Sequence, residues 1–321
     1  MRKPFFPAQA RRGAALLAAL VTVTMVATLA SAGLWQQWRA IEVEAAERER
    51  SQAAWILTGA MDWSRLILRE DAAAGGPDHL AEPWAIGLRE ARLSTFLSAD
   101  RDAAAAGSLV EEAFLSGDIV DLQARLNLAN LGTGPQPSET GLRSFRRLFV
   151  QLGLPVAHLD GLAGQWIRAQ ASGDASAGAT PEGAPVPLRP WRVSQLGWLG
   201  VPPATVAALA PHVVILPEPT PVNLNTASVT VIAAAVDGAS LADAQRLAQR
   251  RAGSPLRSLQ EAAATLGHSP ESAAASVSSR FFEIRGRLRM NAHVVEEHLR
   301  VQRDQGQVRI LDRERPEPVP R

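Results

Sequence analysis

The chain has 321 residues, contains no cysteine, and carries a formal net charge of +1 from 33 basic and 32 acidic residues. The lack of cysteine excludes a disulfide framework and thiolate metal sites, and the balanced charge gives no overall attraction to nucleic acid. The length allows two domains besides an N-terminal segment.

The N-terminus combines a basic leader with a long apolar run. The 26 residues from Gly13 to Trp38 contain no charged side chain. A helix of that length rises about 39 Å, which is enough to cross a hydrocarbon core about 30 Å thick. Because basic residues stay on the cytoplasmic side, we expect the rest of the chain on the far side of the membrane. The basic residues of the leader are Arg2, Lys3, Arg11 and Arg12.

Three processing outcomes are compatible with this segment. It resembles a type IV prepilin-like signal, which is cut on the cytoplasmic side, here between Gly13 and Ala14, and leaves the apolar helix in the mature protein. The alternatives are an ordinary signal peptide cut near Ala32 and an uncleaved anchor. We favour the prepilin-like signal because the apolar run exceeds the usual ~7–15 residues of a signal peptide and leads into a charged helix.

The N-terminal helix is expected to continue beyond the membrane. Residues 41–69 contain no proline and consist mostly of good helix formers. The glycines and proline of residues 72–77 are expected to end the helix. We therefore assign residues 1–13 to a leader and residues 14–74 to one helix, of which 14–38 form the transmembrane part.

Several tryptophans indicate where this helix and the following domain make contacts. Trp35 and Trp38 fall at the expected membrane interface, where tryptophan commonly anchors a span. For Trp191 and Trp198 we expect core packing rather than exposed partner contacts. A stripe at roughly helical spacing is predicted to pack on a globular domain; it consists of Trp55, Ala60, Trp63, Ile67 and, slightly offset, Leu66.

Residues 75–132 are predicted to form the first section of an α+β domain. They include a turn-like element, Glu82-Pro83-Trp84-Ala85, and an alternating stretch from Gly117 to Leu128 that indicates a strand leading into a loop.

Residues 133–277 are predicted to form a mainly helical block. It opens with a linker, Thr133–Glu139, and contains a low-complexity loop, Gly173–Pro187, without periodicity. The short helices predicted in it span residues 142–152, 156–168, 195–199, 203–209, 228–236, 241–251 and 256–266.

The end of the chain returns to strand-like sequence, which we assign to a final section, residues 278–313. Val294 and Val295 break the alternation of the middle strand, so a bulge or a strand packed on both faces is expected there. Residues 314–321 have the composition of a disordered tail. The three antiparallel strands are predicted at residues 281–289, 294–301 and 307–311.

Four motifs stand out along the chain: Arg11-Arg12-Gly13-Ala14, Glu82-Pro83-Trp84-Ala85, the segment from Asp121 to Leu131, and Val222-Asn223-Leu224-Asn225-Thr226-Ala227. Their order and spacing resemble those of the general secretion pathway protein K family, the largest minor pseudopilin of type II secretion systems. The resemblance implies an α+β, pilin-like fold with a long, partly transmembrane N-terminal helix packed on an antiparallel sheet. It also implies a large inserted helical domain of the SAM-like or helix-hairpin-helix type.

The resemblance assigns roles to residues of the N-terminus. A prepilin peptidase would cut after Gly13, and the new amine of Ala14 would be methylated. Ala18 then becomes the fifth mature residue, where most pilins and pseudopilins have a glutamate. A carboxylate in lipid is unfavourable without a partner. A subunit at the tip has nothing stacked above it, so it has no need of a glutamate at this position.

The family is held to cap the periplasmic pseudopilus. The partners implied are the I-type and J-type minor pseudopilins, the major pseudopilin, the prepilin peptidase and the inner membrane, with the C-terminal domain in the periplasm. The resemblance further implies that the protein initiates pseudopilus assembly and supports export of folded proteins across the outer membrane.

Some members of the family bind calcium, and this sequence departs from their pattern. The family's Trp-Ile-Asp run is replaced by Trp166-Ile167-Arg168, and arginine cannot ligate a hard cation. Asp174 and Glu182 are the only acids left in the following loop. We therefore expect no cofactor and no metal.

The sequence does not favour two other classes of protein, nucleic-acid-binding proteins and enzymes. The Val222–Ala227 motif followed by arginines resembles the helix-hairpin-helix of membrane-anchored DNA-uptake proteins, but Asp237-Gly238-Ala239-Ser240 stands where a Gly-x-Gly hairpin would approach phosphate. Few cations cluster there, so we expect no nucleic-acid partner. The six histidines are scattered and no hydrolase or phosphate-loop motif is present, so we expect no catalytic residue and no enzyme.

Overall fold

The protein is described here from a computed structural model that covers residues 10–93, 113–171, 187–291 and 293–316. It forms two compact units, Met1–Ile56 and Leu57–Arg321, and helix α1 (Ala10–Ala74) contributes to both. Arg2 and Lys3 of the predicted leader, nearly all of the predicted loop at 173–187, with Asp174 and Glu182, and the last five residues of the predicted tail lie outside the described residues.

Strands of the second unit come from both ends of the chain. Among the described residues, a five-stranded antiparallel sheet has the order β1–β2–β7–β8–β9, and two parallel pairs, β3–β4 and β5–β6, lie apart from it. The strands are β1 (Leu88–Arg92), β2 (Ala113–Asp121), β3 (Leu126–Asn127), β4 (Val213–Val214), β5 (Val222–Asn223), β6 (Ala275–Ser276), β7 (Phe281–Met290), β8 (His293–Asp304) and β9 (Gln307–Glu314).

The central strand β7 shows why α1 packs on this sheet. Its even-numbered side chains are buried, as the period of two along a strand requires. Gly286 lies in the middle of this inner face, and a Cβ atom there would come within 2.8 Å of the Met61 sulfur and 2.9 Å of Leu57 Cδ1. The missing side chain therefore lets α1 approach the sheet closely.

A helical insertion separates β2 from β7, although these two strands are paired over nine residues. Its buried leucines, alanines and aromatic side chains form one continuous hydrophobic core. The helices are α2 (Glu139–Gln151), α3 (Val156–Ala171), α4 (Pro203–Leu209), α5 (Val229–Ala235), α6 (Leu241–Gly253) and α7 (Leu259–Leu266). The α+β, pilin-like class predicted from the sequence is confirmed.

Serine residues begin several of these helices. The hydroxyl groups of Ser138, Ser228, Ser240 and Ser258 each accept a hydrogen bond from a backbone amide in the first turn. Ser228 caps α5 in this way, accepting from the backbone N–H of Val231.

The prediction that Trp55 and Trp63 pack on the globular domain is wrong. Trp55 is 77% exposed and Trp63 is 52% exposed, whereas Leu57, Met61 and Leu68 are fully buried. The buried side chains follow their own helical spacing, and the two tryptophans lie at a different angle around the axis. Trp191 and Trp198, expected in the core of the insertion, are also exposed.

Several predicted boundaries differ from the structure. The strand expected from Gly117 to Leu128 ends at Asp121, where a 3₁₀ turn begins. The helix predicted at 195–199 is a 3₁₀ helix, Val193–Leu199, and β9 runs to Glu314, one residue into the predicted tail.

The middle terminal strand, β8, has an irregularity, but not at the position where a bulge was expected. β7 and β8 pair without a break past Val294 and Val295, so no bulge lies there. The irregularity falls between Arg300 and Val301, on the β9 side of the strand. Strand β1 was not predicted, because its five residues are mostly polar and exposed.

Candidate functional site

The N-terminal half of α1 is apolar and exposed on all sides. An 18-residue window in it has a mean hydropathy of 2.1, which makes α1 long and apolar enough to cross a membrane. A helix that is apolar all round needs an apolar environment. The predicted processing residues Gly13 and Ala14, and the tip-type residue Ala18, all lie in this exposed stretch.

Trp35 and Trp38 lie where the apolar stretch gives way to charged residues. Their side chains are 59% and 61% exposed. The guanidinium carbon of Arg39 lies 5.4 Å from the centre of the Trp35 ring, within the range of a cation–π contact. An aromatic side chain next to a cation suits the boundary between lipid and water. This geometry is compatible with the anchoring role, which stays a prediction.

A cluster of polar side chains joins the sheet to the insertion. We call it the junction cluster; it contains residues from α1, the following loop, β2, β5, the segment before β7, and β8. Most of its side chains are buried, so each must find partners inside the protein. Its members are Asp71, Asp78, Asp121, Asn223, Ser279 and Arg303.

Asp121, the last residue of β2, lies at the centre of the junction cluster. Its Oδ1 accepts a hydrogen bond from the backbone N–H of Gln123 at 2.7 Å. Its Oδ2 accepts three more, from the hydroxyls of Ser279 and Thr226 at 2.6 Å each and from Asn223 Nδ2 at 3.1 Å. This one carboxylate therefore links the end of β2 both to the insertion and to the start of β7.

Arg303, on β8, bridges the two other carboxylates of the cluster. Its guanidinium lies 2.7 Å from Asp71 and 2.5 Å from Asp78, and it also donates to the backbone carbonyl of Ser279 at 2.9 Å. The side chains of all three ionised partners are at most 15% exposed. Removing one partner from such a pair leaves a charge without compensation in the interior.

The junction cluster holds more negative charge than positive. Burial raises the pKa of Asp121 to about 6, against the lowering effect of its hydrogen bonds. Burial also raises the pKa of Asp78. At Asp71, burial and then the neighbouring Glu82 carboxylate raise the pKa, although Arg303 opposes both. The cluster therefore takes up protons more readily than isolated aspartates do.

Asp71, Asp78 and Glu82 bring carboxylate oxygens within 4.8 Å of one another. Arg303 occupies two of the three carboxylates, and Glu82 accepts from the His79 backbone and the Trp84 indole, each at 2.8 Å. These contacts explain why the three carboxylates lie close together without invoking a metal ion. The sequence did not indicate this group, because its members come from two elements and only Glu82 lies in a quoted motif.

Trp166 and Arg168, described residues of the run that the family resemblance offers for calcium, do not fit this ion. The Trp166 indole is buried and donates to the Gly132 carbonyl at 3.1 Å. Arg168 follows on the exposed side of α3, in contact with Gln165. An indole N–H and a guanidinium are donors, and calcium requires oxygen acceptors.

The segment from Asp121 to Leu131 is held by amide side chains. Asn127 Nδ2 donates to the Glu218 carbonyl at 2.7 Å, and its Oδ1 accepts from the backbone N–H of Leu216 and Ala129. Asn130 exchanges two hydrogen bonds with the backbone of Thr220. The motif residues thus fix the entry of the chain into the insertion.

The arginines near the helix-hairpin-helix motif are engaged within the protein. Arg251 donates to the backbone carbonyls of Leu224 and Ala227. Arg246 pairs with Asp243, and Arg250 lies 3.7 Å from Glu261. These contacts give a structural role to three of the four arginines that follow the motif, the fourth being Arg257. They weaken the DNA-binding alternative.

Comparison with known proteins agrees with this geometry. Two models described as "Type II secretion system (T2SS), protein K" match residues 124–218 and 222–279. Type II secretion system protein K of Pseudomonas aeruginosa PAO1 is 27% identical over 241 residues, covering 70% of this chain and 68% of that protein.

A solved structure shares the fold. It is the GspK–GspI–GspJ complex of the enterotoxigenic Escherichia coli type 2 secretion system, with a TM-score of 0.63 and 19% sequence identity. The match covers 85% of this chain and 99% of that one.

The antiparallel sheet packed against the second half of α1 defines a pilin-like protein, and the apolar first half of α1 fits a single-pass membrane anchor. A helical insertion lies between β2 and β7, and both protein K models match residues within it. These two observations point to one family within the pilin-like class. The chain belongs to the type II secretion system protein K family and is a minor pseudopilin. The family is one of structural pseudopilins.

Proposed function

We propose that this protein caps the tip of the periplasmic pseudopilus and starts its assembly together with I-type and J-type minor pseudopilins. The observation that carries the proposal is the helical insertion on a pilin-like sheet, since its bulk would hinder another subunit from stacking above. Ala18, without a carboxylate, is compatible with a subunit that has no neighbour above it.

The apolar half of α1 would hold the protein in the inner membrane as a single span, with the sheet and the insertion in the periplasm. Trp35 and Trp38 would anchor the span at the periplasmic interface. A prepilin peptidase would remove residues 1–13, and the Ala14 amine would be methylated. The span would then join the helices of the other minor pseudopilins and of the major pseudopilin, and the filament would support export of folded proteins.

We further propose that the protein is not an enzyme and requires no cofactor or metal. The structural role of the junction cluster and the donor side chains at Trp166 and Arg168 support this proposal. The engaged arginines near the Val222–Ala227 motif likewise support the view that nucleic acid is not a partner.

The intact mass of the N-terminus tests the first step. After co-expression with the cognate prepilin peptidase, we expect loss of residues 1–13 and an N-terminal Ala14 with or without a methyl group. Without the peptidase, or with Gly13→Val, the leader should remain. A cut near Ala32 that is independent of the peptidase would contradict the pseudopilin assignment.

The tip role is tested in a secreting strain. Deletion of the gene should abolish secretion, and the wild-type gene should restore it. Secretion that continues at its normal level after deletion would count against an essential role at the tip.

A further inference from the structure

The insertion also contacts the outer face of the sheet, away from the junction cluster. Arg303 pairs with Asp71 of α1, so it lies on the inner face of β8. Because side chains alternate along a strand, Arg300 lies on the outer face, about 10 Å farther along β8. Its guanidinium donates to the backbone carbonyl of Trp191, in the insertion, at 3.0 Å. The insertion therefore reaches both faces of the sheet.

Four charged side chains form the contact on the outer face. Arg192 lies 2.5 Å from Glu314 and 3.3 Å from Asp312, and Arg300 lies 3.0 Å from the same Asp312. Burial acts to raise the pKa of Asp312, but Arg300 and Arg192 outweigh it and lower that pKa. One ionised carboxylate is thus shared by an arginine of each part. We call this group the outer clamp; it consists of Arg192 of the insertion, Arg300 of β8, and Asp312 and Glu314 of β9.

Arg192 is fixed in position by the insertion itself. The Gln195 side chain accepts hydrogen bonds from the backbone N–H of Trp191 at 2.8 Å and of Arg192 at 3.1 Å, where the 3₁₀ helix Val193–Leu199 begins. Arg192 therefore moves together with the insertion, whereas both carboxylates of the outer clamp move with β9. A change in the angle between the insertion and the sheet must break the clamp.

The rest of the contact on the outer face is small. A cleft of about 200 Å³ lies beside the outer clamp, with Trp191 and Val193 on the side of the insertion and Glu283 and His298 on the side of the sheet. Small and partly polar interfaces between parts of one chain allow relative motion. Among the described residues, one buried apolar cluster joins the two parts here and is separate from the core of the insertion; its members are Leu122, Val214, Leu216 and Phe281.

The covalent links between the two parts lie together at the junction cluster. The chain leaves the sheet after Asp121, the last residue of β2, and returns to it through Ser279, just before β7. These two residues are themselves joined by a hydrogen bond of 2.6 Å. Two neighbouring links at one end of an interface form a hinge, and the outer clamp holds the insertion at a distance from that hinge.

We propose that the outer clamp is a catch that fixes the angle of the insertion on the sheet, and that the insertion turns about the junction cluster when the clamp opens. The four side chains are between 19% and 39% exposed, and ion pairs of this kind are individually weak. The closed and open arrangements are therefore close enough in free energy to exchange. The inference concerns this protein alone and does not depend on the proposed tip role.

The distance between two spin labels tests the clamp. The chain contains no cysteine, so labels can be attached at two introduced cysteines in the full-length protein in detergent. Val150→Cys, 66% exposed on α2, marks the insertion, and Ile86→Cys, 71% exposed and just before β1, marks the sheet. Double electron–electron resonance then measures the distribution of distances between the labels.

We expect a narrow distribution with the clamp intact and one about twice as wide, or with a second peak, in Arg192→Met. Asp312→Asn combined with Glu314→Gln removes the clamp from the side of the sheet and should have the same effect. Arg246→Met is the matched control, since it removes an ion pair with Asp243 inside α6, and it should leave the distribution narrow. A narrow distribution in either clamp variant, or equal broadening in the control, would overturn the inference.

A charge exchange separates the ion pair from other effects of losing the arginine. Arg192→Glu should broaden the distribution, because it places another carboxylate beside Asp312 and Glu314, and the addition of Glu314→Arg should make it narrow again. Equal thermal unfolding midpoints for Arg192→Met and Arg246→Met show that broadening is not due to unfolding. An exchange that fails to restore the narrow distribution would contradict the ionic catch. Since no partner is present, either failure leaves the proposed function intact.

Discussion

The hydroxyl of Thr226, in the insertion, donates a 2.6 Å hydrogen bond to the carboxylate of Asp121, at the end of β2. The two residues are 105 positions apart in the sequence. The contact lies where the sheet gives way to the insertion, so one buried carboxylate with four donors links the two parts.

Replacement of Asp121 should weaken the whole second unit. In Asp121→Ala, the donors on Gln123, Asn223, Thr226 and Ser279 lose their acceptor, and we expect the free energy of unfolding to fall by about 3 kcal/mol or more. Chemical denaturation of the full-length protein in detergent measures this. Asp160→Asn, an exposed site 3.8 Å from Arg146, serves as control and should change stability by less than about 0.5 kcal/mol. An effect of Asp121→Ala as small as the control would contradict the central position of this residue.

Stability should depend on pH through the same carboxylate. Because burial raises the pKa of Asp121 to about 6 in the folded state, the folded protein binds more protons than the unfolded chain between about pH 4 and pH 6. The contribution of this group to stability is thus greatest at low pH and falls as the pH rises through 6. The raised pKa values of Asp71 and Asp78 act in the same direction.

The free energy of unfolding of the wild type and of Asp121→Asn should be compared from pH 4 to pH 7.5. We expect the wild type to lose up to about 3 kcal/mol relative to the variant over this range, from 1.36 kcal/mol per pKa unit. His212, whose pKa burial lowers, acts in the opposite sense but is common to both proteins. Parallel curves would show that Asp121 does not titrate in this range.

Loss of Arg303 should be among the most damaging single changes. Arg303→Met leaves Asp71 and Asp78 buried without their cation, and we expect the free energy of unfolding to fall by about 3–5 kcal/mol. Arg309→Met, on the neighbouring strand β9 and exposed, is the matched control. The destabilisation should shrink when Asp78→Asn is combined with Arg303→Met, because one uncompensated charge is then removed. A double variant no more stable than the single one would argue against this electrostatic cause.

A methyl group at Gly286 should disturb the packing of α1 on the sheet. The added Cβ would meet Met61 and Leu57 at less than 3 Å, so we expect Gly286→Ala to lower the free energy of unfolding by about 1–3 kcal/mol. At Gly253, at the end of α6, nothing lies within 4 Å of an added Cβ. Gly253→Ala should therefore be neutral or slightly stabilising. Equal thermal midpoints for the two variants would show that α1 is not held this closely.

The sequence was informative where one periodic pattern determines one element. The apolar run and the absence of proline predicted a long first helix. Strand-like sequence predicted the three terminal strands, β7 to β9, although the middle one lacks strict alternation. The fold class and the family followed from the order of the motifs.

Other features depend on contacts that sequence spacing does not show. Trp63 has the hydrophobicity expected of a core residue, yet whether it is buried depends on how many strands α1 covers. The short strand β1 is mostly polar and forms because β2 lies beside it. The junction cluster combines Asp71, Asp121 and Arg303, which are far apart in the chain, so only the folded topology brings them together.

The separation of β2 from β7 has a consequence for the order in which the protein can form. The chain would cross the membrane from its N-terminal end, so β1 and β2 would reach the periplasm well before β7. During that interval the inner edge of β2 has no neighbour, and closing a loop of that length is entropically unfavourable. An insertion that folds first brings β5 and β6 together as a pair and shortens the effective distance. The pairing of β2 with β7 would then be the last step, and it would take place only after the insertion has folded.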